Sequence, residues 1–208
     1  MFSHSGAKEW ENTGSFHIGR TYDRMYTEGM IVAVTGHQRI PAQAMPYVRR
    51  GVRDYLASRL VSSAALQSAA AVAFGGGASG AVSSGATLVS CLAVGADQLT
   101  ADIALRLGYD LTAMIPARGY ETTFDEVGLY EYQRLVRQAS RTVTLDFDHP
   151  CGEAYMAAGL RLLDACDELL AVWDGYPSAG LGGTGDVVTY ARHAGIPVHV
   201  VWPAGVRH

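Results

Sequence analysis

Toward the end of the chain, Trp173-Asp174-Gly175 leaves an apolar run, and Gly182-Gly183-Thr184-Gly185-Asp186 opens an amphipathic stretch that reads as a helix. Small residues let a backbone approach an anion, while the first unpaired N–H groups and the positive end of the helix dipole point at it. The chemistry this spacing suits is the holding of a phosphate, with Gly182, Gly183, Thr184 and Gly185 as its contacts. Upstream, Gly36-His37-Gln38-Arg39 and Gly95-Ala96-Asp97 follow two other apolar runs. His37 and Arg39 are candidates to reach a phosphate or base, and Asp97 to cap a helix or accept hydrogen bonds from a ribose. Arg118 offers a cation after a third run, with Tyr120 close by. Trp173 and Asp174 could flank a base. If a bond is broken here, Asp186 and Asp97 are the carboxylates available as nucleophile or general base.

Several other patterns carry no chemistry. Gly75, Gly77 and Gly80 satisfy G-x-G-x-x-G, but an alanine-rich stretch precedes them and more Ser and Gly follow. A dinucleotide fingerprint needs a strand before and a helix after. The chain has no G-x-x-x-x-G-K, and Lys8 is its sole lysine, which excludes P-loop phosphoryl transfer. His193 and His199 have no metal-ligand companions at useful spacing, so neither a metal nor a cofactor is expected. Cys91, Cys151 and Cys166 lack C-x-x-C spacing and read as buried, reduced thiols.

The elements that must position these residues alternate along the chain. Ile31–Thr35 is a wholly apolar, β-branched run of the kind buried on both faces of a parallel sheet. Pro46–Leu66 then carries Val48, Val52, Tyr55, Leu56 and Leu60 at helical period. The unit recurs: strand Leu88–Ala93 with helix Ala96–Leu107, strand Leu111–Ile115 with helix Leu129–Ala139, and strand Arg141–Leu145 with helix Glu153–Cys166. Strand Leu169–Trp173, helix Thr184–His193 and strand Val198–Trp202 complete the series. Such alternation implies an α/β Rossmann-like, doubly wound, mainly parallel sheet of about six strands with helices on both faces. In that architecture ligands sit at the carboxyl ends of the strands, where the candidate residues fall. Residues 1–30 mix Ser, His, Gly, Glu and Tyr without a period and read as an irregular arm before a single domain over 31–208.

Composition bounds the function. The chain has 208 residues, of which 49% are hydrophobic and 17% charged, enough for the core of one α/β domain. Formal net charge is −4 and the arginines are scattered, so there is no cationic stripe, and nucleic acid is not expected as a partner. No apolar run reaches the roughly 18 residues that span a bilayer, and the first 29 residues lack the apolar centre of a secretion signal. A cytoplasmic protein with no membrane partner is the expectation.

Taken together, Val34-Thr35-Gly36-His37-Gln38-Arg39, Val94-Gly95-Ala96-Asp97, and Trp173-Asp174-Gly175 followed by Gly182-Gly183-Thr184 resemble the SLOG superfamily. That group includes Lonely Guy phosphoribohydrolases and the DNA-processing protein A core. The resemblance runs from about Ile31 to Pro203 and is nearest to stand-alone bacterial, notably actinobacterial, members. It implies a Rossmann-like sheet, nucleotide-derived ligands and a homodimer or higher homo-oligomer. Lonely Guy enzymes use an arginine and a glutamate that would fall here on Ala158 and Val187, with Arg161 one turn away and Asp186 one residue early. One residue on a helix is a rotation of about 100 degrees, so Asp186 would need a shifted start to serve. Three functions therefore fit: a nucleotide-binding protein, such as a sensor; a nucleoside monophosphate N-ribosidase; and a structural or interaction module.

Overall fold

The computed structural model describes residues 29–74 and 85–208. The expected arm, apart from Gly29 and Met30, and the glycine-rich stretch containing Gly75, Gly77 and Gly80 lie outside those residues. Strands and helices alternate: β1 (Met30–Gly36), α1 (Met45–Phe74), β2 (Ala86–Ser90), α2 (Ala96–Leu107), β3 (Asp110–Ile115) and α3 (Glu126–Gln138). They continue with β4 (Arg141–Thr144), α4 (Gly152–Ala165), β5 (Glu168–Val172), α5 (Thr184–His193) and β6 (Val198–Val200). A 3-10 turn over Tyr120–Thr123 joins β3 to α3.

The six strands form one sheet in the order β4-β3-β2-β1-β5-β6, every pairing parallel. This is the doubly wound α/β arrangement expected from the alternation. Because parallel neighbours need a crossover, helices cover both faces and the central strands read as continuous apolar runs. Val32 and Val34 of β1 join α1, α2 and α3 in one apolar layer, while Ala33 joins α4 and α5 in the other. The two-residue period of a strand accounts for that split. All three side chains are fully buried.

Element ends show where local chemistry outruns apolar period. α3 begins three residues before Leu129 because the Asp125 carboxylate accepts the Gly128 N–H at its N-cap. β2 stops at Ser90, short of the expected Ala93, because Leu92 turns to a φ of 57° and its N–H donates to the Ser90 hydroxyl. Helix α2 ends at Leu107 with Gly108 in the left-handed region, whose N–H closes back on Leu105.

The chain runs from β1 through β4 toward one edge and then returns across the sheet to β5 and β6 at the other. β1 and β5 are therefore neighbours from which successive connections depart in opposite directions. A crevice opens outside the carboxyl ends of such strands. Here that places residues 36–39 beside residues 173–175.

Candidate functional site

At the switch between β1 and β5, Gly36 pairs with Val172, and the His37 N–H donates to the Val172 carbonyl at 3.0 Å. Two residues beyond Val172, the Asp174 side chain reaches back to His37, with Oδ1 3.0 Å from Nε2. The Asp174 N–H points at the same ring nitrogen, also at 3.0 Å. Asp174 Oδ1 accepts the Tyr176 N–H, and Oδ2 faces the backbone N–H and ring Nδ1 of His208. Burial works against ionisation of Asp174, but the donors from His208, Tyr176 and His37 outweigh it and hold the carboxyl well below its usual range. Burial, helped by His208, pushes His37 down despite its carboxylate neighbour. The pair is thus a carboxylate and a largely neutral imidazole.

A cleft of about 820 Å³ opens beside this pair. One wall is the loop from Tyr176 to Gly185, another the β1 exit with His37 and Arg39, and a third the aromatic side chains of Tyr120, Phe124 and Tyr155. The glycine loop is tightly built. Gly182 adopts a φ of 77°, and a Cβ there would lie 2.4 Å from the Met156 N, against the first turn of α4. Only glycine combines that backbone with that approach. Asp186 does not line the cleft: its carboxylate accepts the Gly182 N–H at 3.0 Å, tying the loop to the helix start. The Ser178 hydroxyl accepts the Asp186 N–H, and Gly183 N–H donates to Gly180. Among the described residues no partner accepts the N–H groups of Thr184 and Gly185, the first two positions of α5, and both residues line the cleft. The expected cradle is therefore narrower than the sequence implied. Two amides have no acceptor among the described residues, and the Asp186 carboxylate, the Ser178 hydroxyl and the Gly180 carbonyl take the others.

The turn from β2 to α2 contributes Asp97, which lines the cleft yet is almost fully buried. Burial pushes its carboxyl up to about 7, against hydrogen bonds from the Ser90 hydroxyl and the backbone N–H groups of Ala93 and Cys91. Burial thus favours the neutral form of this carboxyl well beyond the usual carboxylate range. Gly95 is structural: it sits at φ 88°, and a Cβ would lie 2.3 Å from the Gln38 carbonyl oxygen. That contact lets the Ala96 N–H reach the His37 carbonyl and locks α2 to the β1 exit.

The remaining expected residues divide. Arg39 lines the cleft as an exposed cation. Trp173 lines it too, but its indole N–H donates to the Tyr176 carbonyl and the ring is packed in the core. Arg118 is not brought to the cleft; it pairs with Asp146 and Asp148 on the surface, each at 2.7 Å. Such exposed pairs contribute little. Sequence reasoning missed Phe124, Tyr155, Ser178 and His208. The first two arrive from the segments before α3 and within α4, and nothing in their spacing marks a site. Ser178 lies in the Tyr-Pro-Ser-Ala-Gly link just ahead of the glycine loop, the only one of the four with a local signal.

The fold has solved relatives. DNA processing protein A from Helicobacter pylori, described for its unique mode of binding single-stranded DNA, matches with a TM-score of 0.53 and 14% identity. The match covers 83% of this chain and 65% of that one. DNA processing protein A from Streptococcus pneumoniae matches with a TM-score of 0.45 and 14% identity, over 82% of this chain and 58% of that one. The chain thus spans less than two thirds of the length of either. No protein-family profile and no curated protein matches the chain. The Helicobacter pylori protein belongs to the SLOG-type Rossmannoid group, and at 14% identity its likeness bears on the fold alone. The exclusion of nucleic acid does not stand, because the Helicobacter pylori neighbour binds single-stranded DNA. The physical error lay in judging from net charge and the lack of a cationic stripe. A missing cationic stripe addresses diffuse attraction to phosphates, whereas single strands are also held by stacking and groove contacts. No helix of the described residues is long and apolar enough to cross a membrane.

Proposed function

We propose that this chain binds a nucleotide or nucleotide-derived phosphate ligand in the cleft at the carboxyl edge of the sheet, in the manner of a sensor. The carrying observation is the pair of amides at Thr184 and Gly185 that have no acceptor among the described residues, while every other amide of the loop from Gly182 to Asp186 is bonded internally. A phosphate there accepts two N–H donors and meets the positive end of the α5 dipole. Arg39 adds charge, and the Tyr120, Phe124 and Tyr155 wall offers aromatic surface to a base.

Binding without turnover is favoured over N-glycoside hydrolysis. Of the two candidate catalytic carboxylates, Asp186 is spent on Gly182 and off the cleft, and Asp97 is engaged by three donors. The test is calorimetry and thermal shift with nucleoside monophosphates, ADP-ribose and a short single-stranded oligonucleotide, with chromatography for released base. A ligand at 100 times its Kd should raise stability by about 2.7 kcal/mol. No stabilisation by any of these overturns the reading, and released base replaces it with the hydrolase.

A further inference from the structure

The His37, Asp174 and His208 side chains form a cluster that nucleotide binding does not use. Their three donor atoms lie within 4.8 Å of one another. The geometry points to a transition-metal site here, of the kind taken by Zn²⁺, with His37 Nε2, His208 Nδ1 and an Asp174 oxygen as ligands.

Two features beyond proximity support it. The Asp174 side chain is only 1% exposed, and its ion-pair partners among the described residues are His37 and His208, neither of them a permanent cation. Hydrogen bonds from the Tyr176 N–H, the His208 N–H and the two imidazoles fix that carboxylate in place as an anionic ligand for a divalent cation. His37 Nε2 is also over-subscribed. It lies 3.0 Å from the Asp174 N–H, which needs its lone pair, and 3.0 Å from Asp174 Oδ1, which needs a proton on the same atom. A metal on that lone pair takes Oδ1 as a neighbouring ligand, which meets the demand of Oδ1 without a proton, while the Asp174 N–H gives up that acceptor.

The donor set selects the ion class. Two imidazoles with one carboxylate suit Zn²⁺ and its neighbours, and not Mg²⁺ or Ca²⁺. The His37 and His208 rings stack 3.6 Å apart at 11°, so the partly exposed His208 ring must rotate to aim Nδ1 at a shared ion while the buried His37 stays fixed. Three protein ligands leave a fourth position, and both histidines line the cleft. The site is independent of the proposed nucleotide and is tested without one.

Titrating metal-stripped full-length protein with Zn²⁺ by calorimetry, and with Co²⁺ by visible absorption, reads the site directly. One equivalent should bind wild type. His208→Ala, which removes a partly exposed side chain, should weaken binding by about 100-fold, as should Asp174→Asn if it folds. His193→Ala and the double variant His4→Ala/His17→Ala should bind as wild type does. Absence of stoichiometric binding, or equal affinity in wild type and His208→Ala, overturns the assignment. The latter result would place the metal on thiols or other histidines.

Discussion

Asp97 combines near-complete burial with a position on the cleft wall, and its ionisation is coupled to folding. Its carboxyl stands at about 7 in the folded chain against 3.8 ordinarily. Between those values the unfolded chain has released the proton and the folded chain keeps it, so the unfolded state binds fewer protons and stability falls as pH rises. Below 3.8 the cost vanishes, and above about 7 it is constant. Asp97→Asn should therefore gain stability relative to wild type as pH is raised from 4 to 7 and show a constant difference beyond, read by urea denaturation at several pH values. A parallel pair of curves would refute the assignment. Thr184 permits a cleaner test of the amide cradle. Proline suits the first position of a helix, and Gly183, at φ −74° and ψ 171°, has the extended backbone that a residue before proline needs. Thr184→Pro should leave stability within about 1 kcal/mol of wild type while weakening the nucleotide about tenfold, the worth of one hydrogen bond to a charged group. Equal nucleotide affinity in the two proteins would remove Thr184 N–H from the site.

Elements meet at the cleft through glycines that bring backbone close to backbone. A Cβ on Gly36 would stand 2.4 Å from the Ala96 Cβ and 2.8 Å from Val172, so β1, α2 and β5 approach only because that position is bare. Gly36→Ala should cost about 1–3 kcal/mol by denaturant unfolding, the usual cost of overpacking. Unchanged stability would mean that the β1 exit is looser than it stands here. Most elements were legible from hydrophobic period alone: α2 over Ala96–Leu107 and α5 over Thr184–His193 agree with expectation at both ends. Boundaries went astray where a side chain competed with the ladder, as Asp125 did at α3 and Ser90 at β2. Such bonds are set by single polar residues, which period does not register.

At the scale of the whole molecule, the order β4-β3-β2-β1-β5-β6 sets β3, β2, β1 and β5 between neighbours and leaves β4 and β6 as edges. β4 is largely exposed, and His199 and Val200 of β6 are open to solvent. Hydrogen exchange should accordingly be slowest in β1, β2 and β5 and fastest in β4 and β6, since strand protection follows burial and two-sided pairing. Edge strands that exchange as slowly as β1 would point to an assembly covering them. The nucleic-acid correction also belongs at this scale: charge summed over a chain is blind to how a groove is lined.

The amino-acid sequence by itself determined the alternation of strands and helices, the parallel sheet and the placing of Gly36, Gly95 and Gly182 at strand exits and a helix start. Those features rest on local period, on left-handed backbone at Gly95 and Gly182 and on close approach at Gly36. Only the tertiary structure decided which side chains share the cleft. It set Asp174 beneath His37 and His208, turned Asp186 inward to Gly182, and left Arg118 on the surface. The His37–Asp174 encounter joins residues 137 positions apart, and nothing local to either partner specifies it.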